Sequence, residues 1–140
     1  MLFRSTAIEP GEILTEIQLP AWPADRRWGF QEVNRRHGDF ALAGAAVWVD
    51  MDAATHCTAA SIVMFGVGDT PVRAAQAETC LIGHFVTATR IREAAELAAA
   101  MCEPSSDIHA SAEYRREVVR VMVRRALEQA AGGNNHGIAM

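Results

Sequence analysis

The segment VNRRHGDFALAG, residues 33–44, holds the densest group of side chains that could do chemistry. Arg35 and Arg36 stand side by side, and their planar guanidinium groups can pair with a carboxylate or stack on an aromatic ring. Gly38 can supply a positive φ for a tight turn, and Asp39 can accept hydrogen bonds from the turn amides. On the residue types alone, a solvated hairpin and a binding site are equally good interpretations of this turn.

A second polar segment, SSDIHASAEYRR, leads into a helix nearer the C-terminus. Asp107 and Ser111 have side chains of the kind that organise the start of a helix. Tyr114, Arg115 and Arg116 follow directly and can anchor the loop. We favour structural anchoring to the sheet, and contact with a partner is the alternative.

The remaining titratable residues do not form a recognisable catalytic or metal-binding motif. No histidine pairs with another histidine, a cysteine or a carboxylate at ligand spacing. The three cysteines lack a C-x-x-C pair, which argues against a disulfide framework, a zinc site and an iron–sulfur cluster. We therefore assign no catalytic residue and no metal ligand. An enzyme with His37 or Asp39 as acid or base is a minor alternative.

The first half of the sequence predicts the strands that must position these residues. Alternating or continuous apolar runs predict strands over residues 12–20, 28–35, 39–50 and 58–68. The third run is nearly uncharged, which is typical of a central strand covered on both faces or of a close backbone approach at Gly44.

The second half of the sequence predicts helices. The first is expected to be capped by Asp69 or Thr70, with Pro71 at its first position, and to end at Gly83. A second helix is predicted from about residues 87–89 to before Pro104, and a third over residues 112–131. Strands first and helices afterwards predict an α+β fold. We expect an antiparallel sheet of three to four strands followed by three helices packed on one face.

Length and composition predict a single domain over residues 1–131 and a flexible tail over residues 132–140. The formal net charge is −4, and this mildly acidic balance argues against a nucleic-acid binder. No apolar run is long enough to span a membrane, so no membrane association is expected. The N-terminal residues do not resemble a secretory signal, which makes the cytoplasm the expected location.

Four segments of the sequence resemble a known family in their order and spacing. They are PGEILTEIQLP, FQEVNRRHGDFALAGAAV, FGVGDTPVRAAQAETCLIG and PSSDIHASAEYRREVVRVMVRRAL. Together they resemble the C-terminal domain of the flavoprotein (medium) subunit of molybdenum hydroxylases, the carbon monoxide dehydrogenase and xanthine dehydrogenase family. The resemblance covers about residues 6–130 and implies an α+β domain of three or four antiparallel strands with three helices.

The resemblance implies a role next to FAD in electron transfer, beside a molybdenum subunit and an iron–sulfur subunit. In that family the domain closes over the edge of the flavin ring, and an aromatic residue matching Phe30 lies near the ring in some members. Gln31 matches a position that holds lysine in some relatives. In that family a turn lies near the flavin, and Arg35, Arg36, Gly38 and Asp39 match the residues of that turn. A cation there would favour negative charge on the reduced flavin.

The sequence also departs from the family, because the glycine-rich loops that hold the FAD phosphates are missing from it. It begins where the FAD domain of a full-length subunit would be ending, so we expect a fragment, a split gene product or a repurposed domain. FAD binding is expected only together with a missing FAD-binding domain or partner chain, and not by this chain alone.

Two functional interpretations follow from this comparison with the family. The leading one is an accessory domain that helps to cover the flavin ring and has an FAD-binding domain or subunit as its partner. The alternative is a stand-alone binding or assembly domain. Its exposed sheet face would then form a homodimer interface or a small-ligand pocket.

Overall fold

Strands precede helices along the chain in a computed structural model, which describes residues 8–36 and 38–132. The strands are β1 (Arg27–Asn34), β2 (Ala41–Met51), β3 (Cys57–Phe65) and β4 (Val72–Arg73). The helices are α1 (Ala75–Leu81), α2 (Ala88–Ala100) and α3 (Ala112–Ala131). The four strands form one antiparallel sheet in the order β1-β2-β3-β4. The predicted α+β fold is therefore confirmed. Most of the predicted tail, from residue 133 on, lies outside the described residues.

The core lies between one side of the sheet and the helices. Val47 and Val49 of β2 and Ile62 and Met64 of β3 alternate with less buried neighbours and are almost fully buried. Helix α3 packs across β1 and β2, α1 packs on β3, and α2 lies against the other two helices. Each large apolar side chain buried in this layer contributes about 1.5–3 kcal/mol to stability.

Helix α3 approaches β1 closely at Gly29, where no side chain fits. A Cβ atom built on Gly29 would lie 2.0 Å from the carbonyl oxygen of Ala126. Such a contact is shorter than any that packed atoms tolerate, so β1 or α3 would have to move. Gly29 and the small Ala126 therefore set the distance between the sheet and its main helix.

The strand predicted over residues 12–20 is wrong for this chain. These residues have no regular secondary structure and are exposed. The period-two pattern is present, but a strand also needs a neighbour that completes its ladder of hydrogen bonds. The described residues provide no such neighbour. We call residues 12–20 the arm.

The first helix begins later than the sequence predicts. The predicted start at residues 69–71 precedes the short strand β4, and the helix begins only after Ala74. The Ala74 N–H donates to the carbonyl of Ile62 at 2.8 Å. The chain therefore continues along the sheet edge before it turns into the helix.

Helices α2 and α3 begin where the sequence predicts. The side chains of Thr87 and Ser111 accept hydrogen bonds from the first turns of α2 and α3. The bounds of α3 agree with the prediction, but its buried face is rotated. The helical spacing in the sequence predicts that the buried face of α3 includes Tyr114, but Arg115 is buried and Tyr114 is half exposed. The residues of the predicted face are Tyr114, Val118, Val121, Met122 and Ala126. None of the helices in the described part of the chain is both long enough and apolar enough to cross a membrane.

Replacement of Gly29 by alanine is expected to lower the free energy of unfolding by at least about 2 kcal/mol, because the methyl group overlaps the Ala126 backbone. Urea unfolding followed by circular dichroism measures the change. Gly38→Ala is the matched control, since nothing lies within 4 Å of its Cβ position and its φ is +83°. The control should cost only about 1 kcal/mol of backbone strain. Equal losses in both variants would contradict the proposed contact.

Candidate functional site

The side of the sheet that faces away from the helices is apolar and aromatic. Trp28 and Phe30 of β1, Trp48 of β2 and Phe65 of β3 occupy the positions that alternate with the core. A groove of about 950 Å³ runs over this side. We call it the aromatic groove; it is lined mainly by Trp22, Trp28, Phe30, Ala46, Trp48, Ser61 and Val63. An apolar surface of this kind usually meets a ligand or another protein.

A stacked aromatic pair lies beside the groove. The rings of Phe30 and Phe65 have centroids 5.5 Å apart and an interplanar angle of 19°. A Cβ atom on Gly44 would lie 2.3 Å from the Phe65 ring, so the ring lies flat on the sheet only because this position is glycine. Phe30 remains 47% exposed. The sequence predicts a close backbone approach at Gly44, whereas the structure places the Phe65 ring there. The glycine thus supports a flat, accessible aromatic surface.

At the opposite end of the groove, the Arg26 guanidinium stacks on two tryptophan rings. The Arg26 guanidinium lies 3.8 Å from the Trp48 ring centroid and 5.3 Å from that of Trp22. The same guanidinium donates two hydrogen bonds to the Asp50 carboxylate, at 2.8 and 2.7 Å. The hydrogen bond from Arg26 lowers the pKa of Asp50. Arg26 thereby holds Trp22, which follows the arm, against the open side of the sheet.

The β1–β2 turn adjoins the end of the sheet where the aromatic pair lies. Arg35 Nη2 donates to Asp39 Oδ2 at 3.1 Å, and Asp39 Oδ1 accepts from the Phe40 N–H at 2.9 Å. Gly38 has a φ of +83°, so the predicted turn geometry is confirmed. Asp39 therefore offsets the charge of Arg35 and holds the turn together.

Arg36 differs from Arg35 in its surroundings. Its side chain is exposed and has no hydrogen bond or ion pair with any described residue. It therefore presents the uncompensated positive charge of the turn. His37, the other residue considered for acid or base chemistry, lies outside the described residues.

Gln31 lies apart from the other predicted site residues. Neighbours on a strand point to opposite sides, so Gln31 faces away from the side that carries Phe30. Its Nε2 donates to the Oε1 atom of Gln129 on α3 at 2.9 Å, and the same oxygen accepts from the Phe30 N–H at 3.2 Å. The structure brings Phe30 and the turn to one end of the open face, and it ties Gln31 to the helix layer. The period-two pattern of β1 already predicts that Gln31 and Phe30 lie on opposite sides of the sheet.

Arg115 joins strand β2 and two loops next to the turn. Its Nη1 donates to the carbonyl oxygens of Leu42 and Gly66, the latter at 3.2 Å. Its Nη2 donates to Asp107 Oδ2 at 2.7 Å. The side chain is buried, so these bonds replace water around the guanidinium. The interpretation of this segment as a structural anchor is confirmed for Arg115.

Asp107 is organised by its own loop as well as by Arg115. Its Oδ1 accepts the N–H groups of His109 and Ala110 at 2.8 and 2.9 Å. These bonds, followed by the one from Arg115, lower the pKa of Asp107 to about 2. A polar cavity of about 400 Å³ lies between this loop and the turn, lined by both acidic and basic side chains. No group of histidine, cysteine and acidic residues in the described part of the chain is arranged to hold a metal ion.

A family model for the CO dehydrogenase flavoprotein C-terminal domain matches residues 28–130. The chain belongs to this family. The matched segment starts in β1 and ends near the end of α3, so it includes the turn, the Arg115 anchor and the aromatic groove apart from Trp22.

Relatives of this flavoprotein C-terminal domain include two curated proteins. The 6-hydroxypseudooxynicotine dehydrogenase complex subunit alpha of Paenarthrobacter nicotinovorans is 38% identical over 89% of this chain and 42% of its own length. The carbon monoxide dehydrogenase medium chain of Afipia carboxidovorans is 40% identical over 89% of this chain and 43% of its own. A solved structure of reconstituted CO dehydrogenase from Oligotropha carboxidovorans superposes with a TM-score of 0.83 at 39% identity, covering 91% of this chain and 44% of that chain. The chain therefore spans less than half the length of the curated relatives it matches.

The described residues of the domain fit only part of an FAD molecule. The aromatic groove and the exposed Phe30 offer a flat apolar surface of the kind that accepts a planar ring. The glycine loop at residues 66–68 leads into β4 instead of a helix N-terminus. It therefore lacks the geometry that cradles a pyrophosphate.

Replacement of Arg115 by methionine is expected to lower the free energy of unfolding by about 3 kcal/mol, because two carbonyls and a carboxylate lose their donor. Chemical unfolding measures the loss. Arg120→Met is the control: Arg120 pairs with Glu96 and Glu117 at the surface and its side chain is 38% exposed. The control should cost less than about 1 kcal/mol. Similar losses for both variants would contradict the anchoring role.

Asp107 is expected to make stability depend on pH. Its pKa of about 2 in the folded chain lies below the unfolded value of about 3.9. The ionised carboxylate therefore stabilises the fold above about pH 4, and the effect is lost as the pH falls toward 2. The difference in unfolding free energy between the natural chain and Asp107→Asn should shrink over this range. A difference that stays constant from pH 6 to pH 2 would contradict this account.

Proposed function

We propose that this chain acts as the C-terminal part of the FAD-binding medium subunit of a molybdenum hydroxylase and covers the flavin ring during electron transfer. The observation that carries the proposal is the accessible Phe30–Phe65 pair, which lies on the uncovered side of the sheet next to a cationic turn. Flat apolar surface and nearby positive charge are the features that a reduced, electron-rich ring would need.

We infer the partners of this chain from the segments of its relatives that it does not match. More than half of each curated relative lies outside the matched segment, and one of these relatives is a medium chain of carbon monoxide dehydrogenase. We assign the binding of the FAD phosphates to that missing part, as a domain or a separate subunit. Molybdenum and iron–sulfur subunits complete the proposed complex.

The residues of this chain have distinct roles in the proposed function. Bound FAD supplies the redox chemistry. Phe30 and the groove exclude water from one side of the ring and orient it. Asp39 holds Arg35 within the turn, and Arg36 supplies a positive charge that favours added negative charge nearby.

A stand-alone assembly domain is the second candidate function. The aromatic groove favours it, because an apolar surface this large tends to become covered. Two copies could cover each other's grooves as a homodimer. Light scattering after size exclusion tests this candidate, and a strict monomer at high concentration would contradict it.

A chimeric medium chain provides the test of the flavin role. In it, this chain replaces the matching 125 residues of the Afipia carboxidovorans medium chain. Arg36→Gln is expected to lower the FAD midpoint potential by on the order of 20 mV, because the reduced flavin loses a nearby cation. Arg35→Gln should have a smaller effect, since Asp39 already offsets that charge. Spectroelectrochemical titration measures both shifts.

The control for this titration is Arg92→Gln. Arg92 is exposed on α2, which packs on the other helices and not on the sheet. The control should leave the potential unchanged. Identical potentials in the Arg36 and Arg92 variants would contradict the proposed role of the turn. Stoichiometric FAD on the purified 140-residue chain alone would contradict the assignment of the phosphate site to another part.

A further inference from the structure

One side chain of helix α3 reaches the aromatic groove at the β1 edge of the sheet. Gln129 is half-buried and lines the groove together with Gly29 and Phe30 of β1. The other described residues that line the groove belong to the strands or, for Trp22, to the segment before β1. Gln129 is therefore the contribution of the helix layer to the side of the sheet that the helices leave open.

The hydrogen bonds of Gln129 determine which end of its amide faces β1. Its Oε1 atom accepts from the Phe30 N–H at 3.2 Å and from Gln31 Nε2 at 2.9 Å. A backbone N–H can only donate, so the atom that faces it must be the amide oxygen. A reversed amide would place two donors against each other. The Nε2 group is therefore the free end of the Gln129 amide.

The Nε2 group of Gln129 carries two N–H donors without an acceptor. Neither of them donates to a residue in the described part of the chain. The buried side-chain atoms without a partner in that part are Arg115 Nε and Arg120 Nε, so the Gln129 group remains accessible from outside. An accessible donor at the rim of an apolar groove is the kind of polar group that orients a bound molecule.

The floor of the groove offers flat apolar surface with few polar side-chain groups. Apart from the indole N–H groups, the Ser61 hydroxyl is the polar side-chain group among the described strand residues that line it. Ser61 lies on β3, two strands away from β1 and roughly 10 Å across the sheet. The Gln129 donor therefore marks one edge of the groove, and apolar surface extends from it toward β3.

We propose that Gln129 orients the flavin ring by donating a hydrogen bond from Nε2 to a carbonyl oxygen at the polar end of the ring. This inference rests on the proposed function, which assigns the ring to the open side of the sheet. A flavin ring has its two carbonyl groups at one end and two methyl groups at the other. With the carbonyl end at Gln129, the methyl end extends over apolar surface toward β3. A hydrocarbon ring or an apolar protein segment would leave the covered donor unpaired.

Tryptophan fluorescence lifetimes of the full 140-residue chain test the proposal. All three tryptophans of the chain, Trp22, Trp28 and Trp48, line the groove, so quenching reports its occupancy. Riboflavin is the probe, because it carries the flavin ring without the phosphates of FAD. Phenazine is the comparison, as a planar three-ring heterocycle without carbonyl groups. Both should shorten the lifetimes in a saturable way, and riboflavin should dissociate on dilution, since this chain does not hold the rest of FAD.

Two substitutions of Gln129 isolate the donor. Gln129→Glu keeps an oxygen for the Phe30 N–H and removes the N–H groups. It should weaken riboflavin binding at least ~5-fold, the worth of one hydrogen bond, and leave phenazine binding unchanged. Gln129→Met, which offers no oxygen to the N–H of the flavin ring, should show the same selectivity. Gln76→Glu is the matched control: it makes the same change at an exposed position on α1 and should leave both affinities unchanged.

The outcomes separate this proposal from the proposed function. Unchanged riboflavin affinity in both Gln129 variants, or equal losses for riboflavin and phenazine, would overturn the proposal and leave the proposed function standing. Riboflavin that never quenches the tryptophans would overturn it together with the groove as the flavin surface. A dimer that excludes riboflavin would identify a second copy as the occupant and overturn it as well. A selective loss of riboflavin affinity, with no effect of Arg36→Gln on the FAD potential, would support the proposal and contradict the flavin role of the turn.

Discussion

The sheet of this domain is apolar on both sides, and the helices in the described part of the chain cover only one of them. Burial of Val47, Val49 and Ile62 beneath the helices accounts for the core. The same strands carry Trp48 and Phe30 on their other side, where antiparallel sheets commonly present polar residues to water. The arm repeats this situation on a smaller scale, with apolar side chains and no sheet beneath them. Both features are apolar surfaces of the kind that another protein element usually covers.

The helix layer positions the uncovered side through a few tight contacts. Gly29 lets α3 approach β1 closely, and Gln129 of the same helix fixes the edge of the strand that carries Phe30. Near the start of α3, Arg115 binds the beginning of β2 and the loop after β3 through the carbonyls of Leu42 and Gly66. A single helix thus fixes both the aromatic surface and the turn beside it. The geometry of the candidate site depends on that helix.

Features governed by local interactions could be predicted from the sequence. The α3 helix begins at the Ser111 cap, and Gly38 adopts the positive φ of a tight turn. Features that need a distant partner could not. The arm has the pattern of a strand, but its pairing is not specified by its own residues. The burial of Arg115 could not be predicted either, because its residue type marks it as polar and its three acceptors, in β2 and two loops, come together only in the folded chain.

A crystal structure of the FAD-loaded chimeric medium chain would test the central claim most directly. We expect the flavin ring to lie against the open side of the sheet, with Phe30 within about 4 Å of the ring. The turn that carries Arg36 should border the same ring. A flavin ring separated from Phe30 by other protein, with the aromatic groove still open to solvent, would contradict the account.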